Sequence, residues 1–184
     1  MKKIEEVESW SYVVNRNQTN NNPLPTISET IVESLAEMEK FYDENNKEYF
    51  KDLLSHPSHI IRTRAVCVLA NMTGDDSVEC LCRVLERDPD ALVRHEAAFS
   101  LGQLGFEYGI NPLLHAVESD PRVFVRHEAA IALRVIGSEK ARETLRRALG
   151  YSSEVRESAL VALANLEYVS RMKRKNTLTK MTGG

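Results

Sequence analysis

Apolar residues recur at three- and four-residue spacing along most of this chain, the period of one helix face. Ile31, Leu35, Met38 and Phe41 mark the first such face. Ser28 followed by Glu29 and Glu33 reads as its start, with acids in the first turn. Then the pattern repeats itself. Ser58-His59-Ile60-Ile61-Arg62-Thr63-Arg64-Ala65 aligns with Asp90-Ala91-Leu92-Val93-Arg94-His95-Glu96-Ala97, and that aligns with Arg122-Val123-Phe124-Val125-Arg126-His127-Glu128-Ala129, in steps of 32 residues. Pro57, Pro89 and Pro121 stay in register, as do Leu69, Leu101 and Leu133. A fourth copy, Glu154-Val155-Arg156-Glu157-Ser158-Ala159-Leu160, follows after a step of 30.

Each unit reads as two helices. The first is amphipathic, with Val78, Leu81 and Leu85, then Ile110, Leu113, Leu114 and Val117, then Ala141, Leu145 and Leu149. A break follows, often Asp-Pro, since proline suits the first position of a helix but cannot continue one. The second helix carries Val-Arg-x-x-Ala, and Gly105 and Gly137 stand where a C-cap glycine belongs. Its alanines permit close helix approach. One such pair cannot bury its apolar face alone, so pairs must stack. The expectation is all-α: a right-handed α-solenoid of about four helical pairs over residues 27–168. The helix at 28–43 should form an N-terminal cap.

Residues 1–26 read as a poorly ordered arm, because Asn15–Pro25 is polar, Asn-rich and broken by two prolines. Residues 169–184 read as a basic tail. The 184 residues, net charge −3, fit one domain and give no reason to expect nucleic acid as the main partner. No stretch reaches the ~18 apolar residues of a membrane span. The acidic start lacks the apolar region of a signal peptide, so a cytoplasmic protein is expected. Cys67, Cys80 and Cys82 sit at apolar helix positions and read as small core side chains.

The candidate chemistry is the His-Glu couple after the repeat arginine, present twice: His95-Glu96 and His127-Glu128. No second His stands four residues on, which excludes the zinc-protease motif. Residues 32 apart occupy equivalent places on stacked helices roughly 8–10 Å apart. Two imidazoles with carboxylates are a donor set that non-haem iron uses. The same run could equally be a solvated helix face. Arg62, Arg94, Arg126 and Arg156 read as structural, bound to carboxylates of neighbouring repeats or to helix ends. Glu154 and Glu157 could extend an acidic patch that attracts a cationic side chain.

The unit with Asp-Pro-x-x-x-Val-Arg-x-x-Ala-Ala-x-x-Leu-Gly resembles the short HEAT-type repeats of bilin lyases. Residues 58–168 also resemble one half of the deoxyhypusine hydroxylase family. The similarity rests on Arg94-His95-Glu96 with Leu101-Gly102-Gln103, on Val125-Arg126-His127-Glu128, and on Val155-Arg156-Glu157-Ser158. That resemblance implies a di-iron monooxygenase acting with dioxygen on the deoxyhypusine side chain of a translation initiation factor. It implies His95, Glu96, His127 and Glu128 as iron ligands. The family enzyme has four His-Glu couples and this chain has two, which suggests a homodimer that completes the site. The alternative is a repeat scaffold that binds a protein partner without chemistry.

Overall fold

The computed structural model describes residues 28–72 and 74–174. The arm expected over 1–26 lies outside them, and so do residues 175–184 of the expected tail. Among the described residues the chain is helical, without a strand. The helices are α1 (Glu29–Asp43), α2 (Lys47–Leu53), α3 (His59–Asn71), α4 (Asp75–Arg87), α5 (Ala91–Leu104), α6 (Ile110–Ser119), α7 (Val123–Ile136), α8 (Arg142–Ala148) and α9 (Ser153–Arg174). Single 3-10 turns, Glu107–Gly109 and Glu139–Ala141, lead into α6 and α8.

The turns explain the boundaries. Asp90 accepts a hydrogen bond from the Leu92 N–H at 2.8 Å and so caps α5. At the other end Gly105 takes φ 72° and its N–H donates to the Leu101 carbonyl. Gly137 closes α7 in the same way at φ 68°. Both are left-handed positions that favour glycine.

Pairs α2–α3, α4–α5, α6–α7 and α8–α9 stack as an all-α solenoid of four storeys. The second helices α3, α5, α7 and α9 form one layer, and α4, α6 and α8 form the other. α1 packs on α3 at one end and covers a smaller core of Met38, Phe50, Ile61 and Leu69. The main core runs through the stack. The repeat valines Val93, Val125 and Val155 and the leucines Leu81, Leu113 and Leu145 are all fully buried. Alanines set the spacing of the second-helix layer. A Cβ at Gly102 would stand 2.8 Å from Cα and Cβ of Ala132, so α5 and α7 touch backbone to backbone there. No helix among the described residues is long and apolar enough to cross a membrane.

Ion pairs tie the storeys together. Arg62 on α3 forks onto Asp88, and Arg94 on α5 forks onto Asp120, with both partners almost entirely buried. Arg62 and Arg94 thus hold carboxylates of the next repeat, as their register suggested, whereas Arg126 meets only a backbone carbonyl and Arg156 is exposed beside its neighbour Glu157.

Candidate functional site

The His-Glu positions lie on the second-helix layer, and the stacking staggers them. His95 on α5 does not pair with its neighbour Glu96. Its Nε2 stands 3.4 Å from Oε2 of Glu128 on α7. Successive helix residues point about 100° apart, so His95 and Glu96 diverge, and one storey of offset brings His95 to the next glutamate. Glu128 is 8% exposed, a buried carboxylate facing an imidazole that is partly open to solvent. The Phe124 ring lies against His95, with centroids 5.7 Å apart, and the Arg122 guanidinium lies over the Phe124 ring, 5.7 Å from its centroid.

Glu96 finds a partner in the opposite direction. The Cys67 thiol on α3 donates to its Oε1 at 3.1 Å. Burial, then the Glu96 carboxylate, pushes that thiol up to about 12. The expected core role of the cysteines therefore holds for Cys80 and Cys82, which are buried, while Cys67 is half-buried and belongs to this row. Its sequence gave one cue: it occupies the register of Phe99 and Ile131 with a polar atom.

His127 repeats the stagger of His95. The residue one storey on, in the glutamate register, is Ser158. Ser158 Oγ and His127 Nδ1 are 2.7 Å apart, and the Glu154 carbonyl lies 3.2 Å from the same nitrogen. The Ser158 hydroxyl donates its one proton to the Glu154 carbonyl at 3.0 Å. With that proton so placed, Nδ1–H is the donor to Ser158, and this tautomer directs the Nε2 lone pair away from the bond. Metal-bound histidines are commonly oriented by such a bond on the far nitrogen.

Cys67–Glu96, His95–Glu128 and His127–Ser158 thus form three rungs of one ladder. Among the described residues no three His, Cys, Asp or Glu side chains converge into a group that could hold a metal ion. The structure brings His95 to Glu128 and turns Glu96 and His127 to other partners. Glu154 and Glu157 are exposed at the start of α9. The Glu154 carboxyl is held below its ordinary value, first by its own backbone N–H and then by Ser153. His56 and His59 sit at the α2–α3 turn, where His56 Nδ1 accepts from the Ser58 N–H at 3.0 Å. His115 is exposed on α6, outside the ladder.

The HEAT-repeat family profile matches residues 16–101 and 81–164. The chain belongs to the HEAT-repeat family. This HEAT-repeat chain is similar to the solved structure of human deoxyhypusine hydroxylase in complex with glycerol. They share 25% identity at a TM-score of 0.63, over 77% of this chain and 49% of the human one. It is also similar to the complex of CpcE and CpcF of phycocyanin lyase from Nostoc, with 20% identity and a TM-score of 0.60. That match covers 87% of this chain and 60% of the other, and the likeness is one of fold. The chain spans about half the length of the human enzyme. No curated protein matches it.

Proposed function

We propose that this HEAT-repeat chain is a cytoplasmic non-haem iron protein of the deoxyhypusine hydroxylase type. It would use dioxygen to hydroxylate a lysine-derived side chain on a translation factor, with two copies completing the metal site. The observation that carries the reading is the His95–Glu128 couple. Two donors bonded at about 2.1 Å to one ion stand roughly 3–3.4 Å apart, and these two donors already keep that spacing. The Nε2 lone pair of His127 and the likeness to the human hydroxylase point the same way.

His95, Glu128, His127 and Glu96 are the residues that would hold iron, and iron there would supply the activation of dioxygen. The chain's own groups do the rest. Glu128 balances metal charge from a buried position. Ser158 and the Glu154 carbonyl fix the His127 ring. Phe124 packs on His95 and keeps water from that side. Glu154 and Glu157 offer negative charge to a cationic side chain. The second copy is proposed because one chain brings only two of these donors together, while a dimer doubles the set.

The test is iron content and light scattering on the full chain purified from iron-replete cells. Iron bound to a dimer is expected, lost in His95→Ala and Glu128→Gln while helicity stays. A folded monomer that takes up no iron overturns the reading. A second reading, a protein-docking scaffold, is favoured by the exposed Leu92, Phe99 and Phe124 on the same helix layer. Under it, His95→Ala leaves partner binding intact.

A further inference from the structure

Four storeys carry the same arginine, and the first two of these arginines meet the same acid. Arg62 donates Nε and Nη2 to the two oxygens of Asp88 at 2.7 and 3.0 Å. Arg94 does the same to Asp120 at 2.7 and 3.1 Å. In both, Nη1 turns the other way and donates to the carbonyl six residues earlier, that of His56 or of Asp88.

Arg126 repeats half of this arrangement. Its Nη1 donates to the Asp120 carbonyl at 2.7 Å. The other half fails because the fourth copy is two residues short. Asp88 stands five residues before Val93 and Asp120 five before Val125; five before Val155 stands Gly150. Among the described residues no carboxylate pairs with Arg126. The same turn buries the Ser152 hydroxyl oxygen with no hydrogen-bond partner. Surface crevices of about 530 and 250 Å3 border the two filled junctions.

We propose that the Nε–Nη2 edge of Arg126 is a receptor for a small carboxylate or oxyanion from solution, taken in the place that Asp88 and Asp120 fill elsewhere. The guanidinium cannot lose its charge, and its planar fork matches carboxylate and phosphate side-on. It is half-buried and already aimed by the Nη1 bond, so little ordering remains to be done on binding. The inference does not use the His-Glu ladder and stands or falls apart from the iron reading.

The test is thermal unfolding of the full chain in sodium acetate or sodium phosphate against sodium chloride at equal ionic strength and pH 7. At about fivefold excess over Kd the expected rise is about 2–4 °C. Gly150→Asp supplies the missing acid. Gly150 lacks a left-handed φ and its added Cβ would meet only the Arg147 carbonyl oxygen at 3.4 Å, so the variant is accommodated. It should melt higher in chloride and show no anion increment. Arg126→Gln should lose the increment whatever its own stability. A rise with either anion supports the receptor and names its preferred class. Equal increments in all three chains, or none in the wild type, overturn it. So does an increment that appears only in Glu154→Gln, because the fork would then be filled by the chain's own glutamate.

Discussion

His95 reaches past its covalent neighbour Glu96 and meets Glu128 one storey away, at 3.4 Å. The relation recurs as His127 with Ser158. The pairing rule belongs to the stack and not to the His-Glu dipeptide. Each histidine faces the glutamate register of the next helix, and each glutamate faces the helix before. Glu128 and Glu96 therefore differ in role although their local sequences are nearly the same.

That difference can be measured. Glu128→Gln removes the charge beside His95, whereas Glu96→Gln removes a charge already engaged by the Cys67 thiol. Titration of the full chain with Fe(II) under nitrogen should show affinity falling about tenfold or more for Glu128→Gln and less for Glu96→Gln. Equal losses would remove the distinction drawn from the stagger.

The fold was legible because its signals are local and periodic. Val93, Val125 and Val155 share a register in the sequence and are all fully buried, and Gly105 and Gly137 adopt the left-handed φ their positions suggested. α1 ends at Asp43, as its apolar face implied. The site was legible only to the level of which helix layer carries it. Which histidine meets which carboxylate depends on rotation and offset between neighbouring helices, set by contacts such as Gly102 on Ala132. Cys67 and Ser158 escaped for the same reason: each acts on a residue about 30 positions away in sequence. Arg62 and Arg94 were legible as inter-repeat anchors, but the vacancy at Arg126 needed the two filled copies beside it.

Asp120 holds Arg94 and also accepts from the Arg122 N–H at 2.9 Å. Asp120→Asn leaves a guanidinium uncompensated in a buried place. Urea unfolding should show a loss of about 3–5 kcal/mol, the usual cost of breaking one side of a buried pair. A loss below about 1 kcal/mol would mean that the junction contributes no more than an exposed pair.

Gly102→Ala tests the close approach of α5 and α7. The new methyl would stand 2.8 Å from α7 backbone, which cannot turn aside as a side chain can. The expected cost is about 1–3 kcal/mol by chemical denaturation. Since the same contact sets the separation of His95 from Glu128, metal uptake should weaken in this variant even where it remains folded. Gly105→Ala is the control: its Cβ meets nothing within 4 Å, so only its left-handed φ of 72° makes it costly, and metal uptake should not change.

Cys82 contributes, with Cys67, to the alkaline limb of stability. Burial first, then Glu86 and Glu79, raise its thiol from the ordinary 9.0 to about 11. The folded state thus holds the proton more tightly than the unfolded state. This stabilisation is complete below pH 9 and is lost as pH rises through about 11. Unfolding free energy should fall across that window, and Cys82→Ala should flatten the fall while lowering stability at neutral pH. An unchanged alkaline slope in the variant would assign the effect to other groups.

Ser158 offers the strongest probe of the ladder, because it breaks the pattern where a glutamate would complete it. Ser158 is 8% exposed, as Glu128 is, and both face the histidine of the preceding storey. Ser158→Glu should place a carboxylate beside His127 as Glu128 stands beside His95, and give one chain two converging His–carboxylate couples. The serine bond that fixes Nδ1 is lost, so the ring must rely on the Glu154 carbonyl for its tautomer. If the couples are metal ligands, the added donor outweighs that loss, and Fe(II) affinity should rise about tenfold while the need for a second copy weakens. Light scattering at matched concentration would then show metal bound to monomer. If the layer is only a docking face, the buried charge has no ion to neutralise it. The variant would then lose stability by about 1–3 kcal/mol with no gain in metal binding.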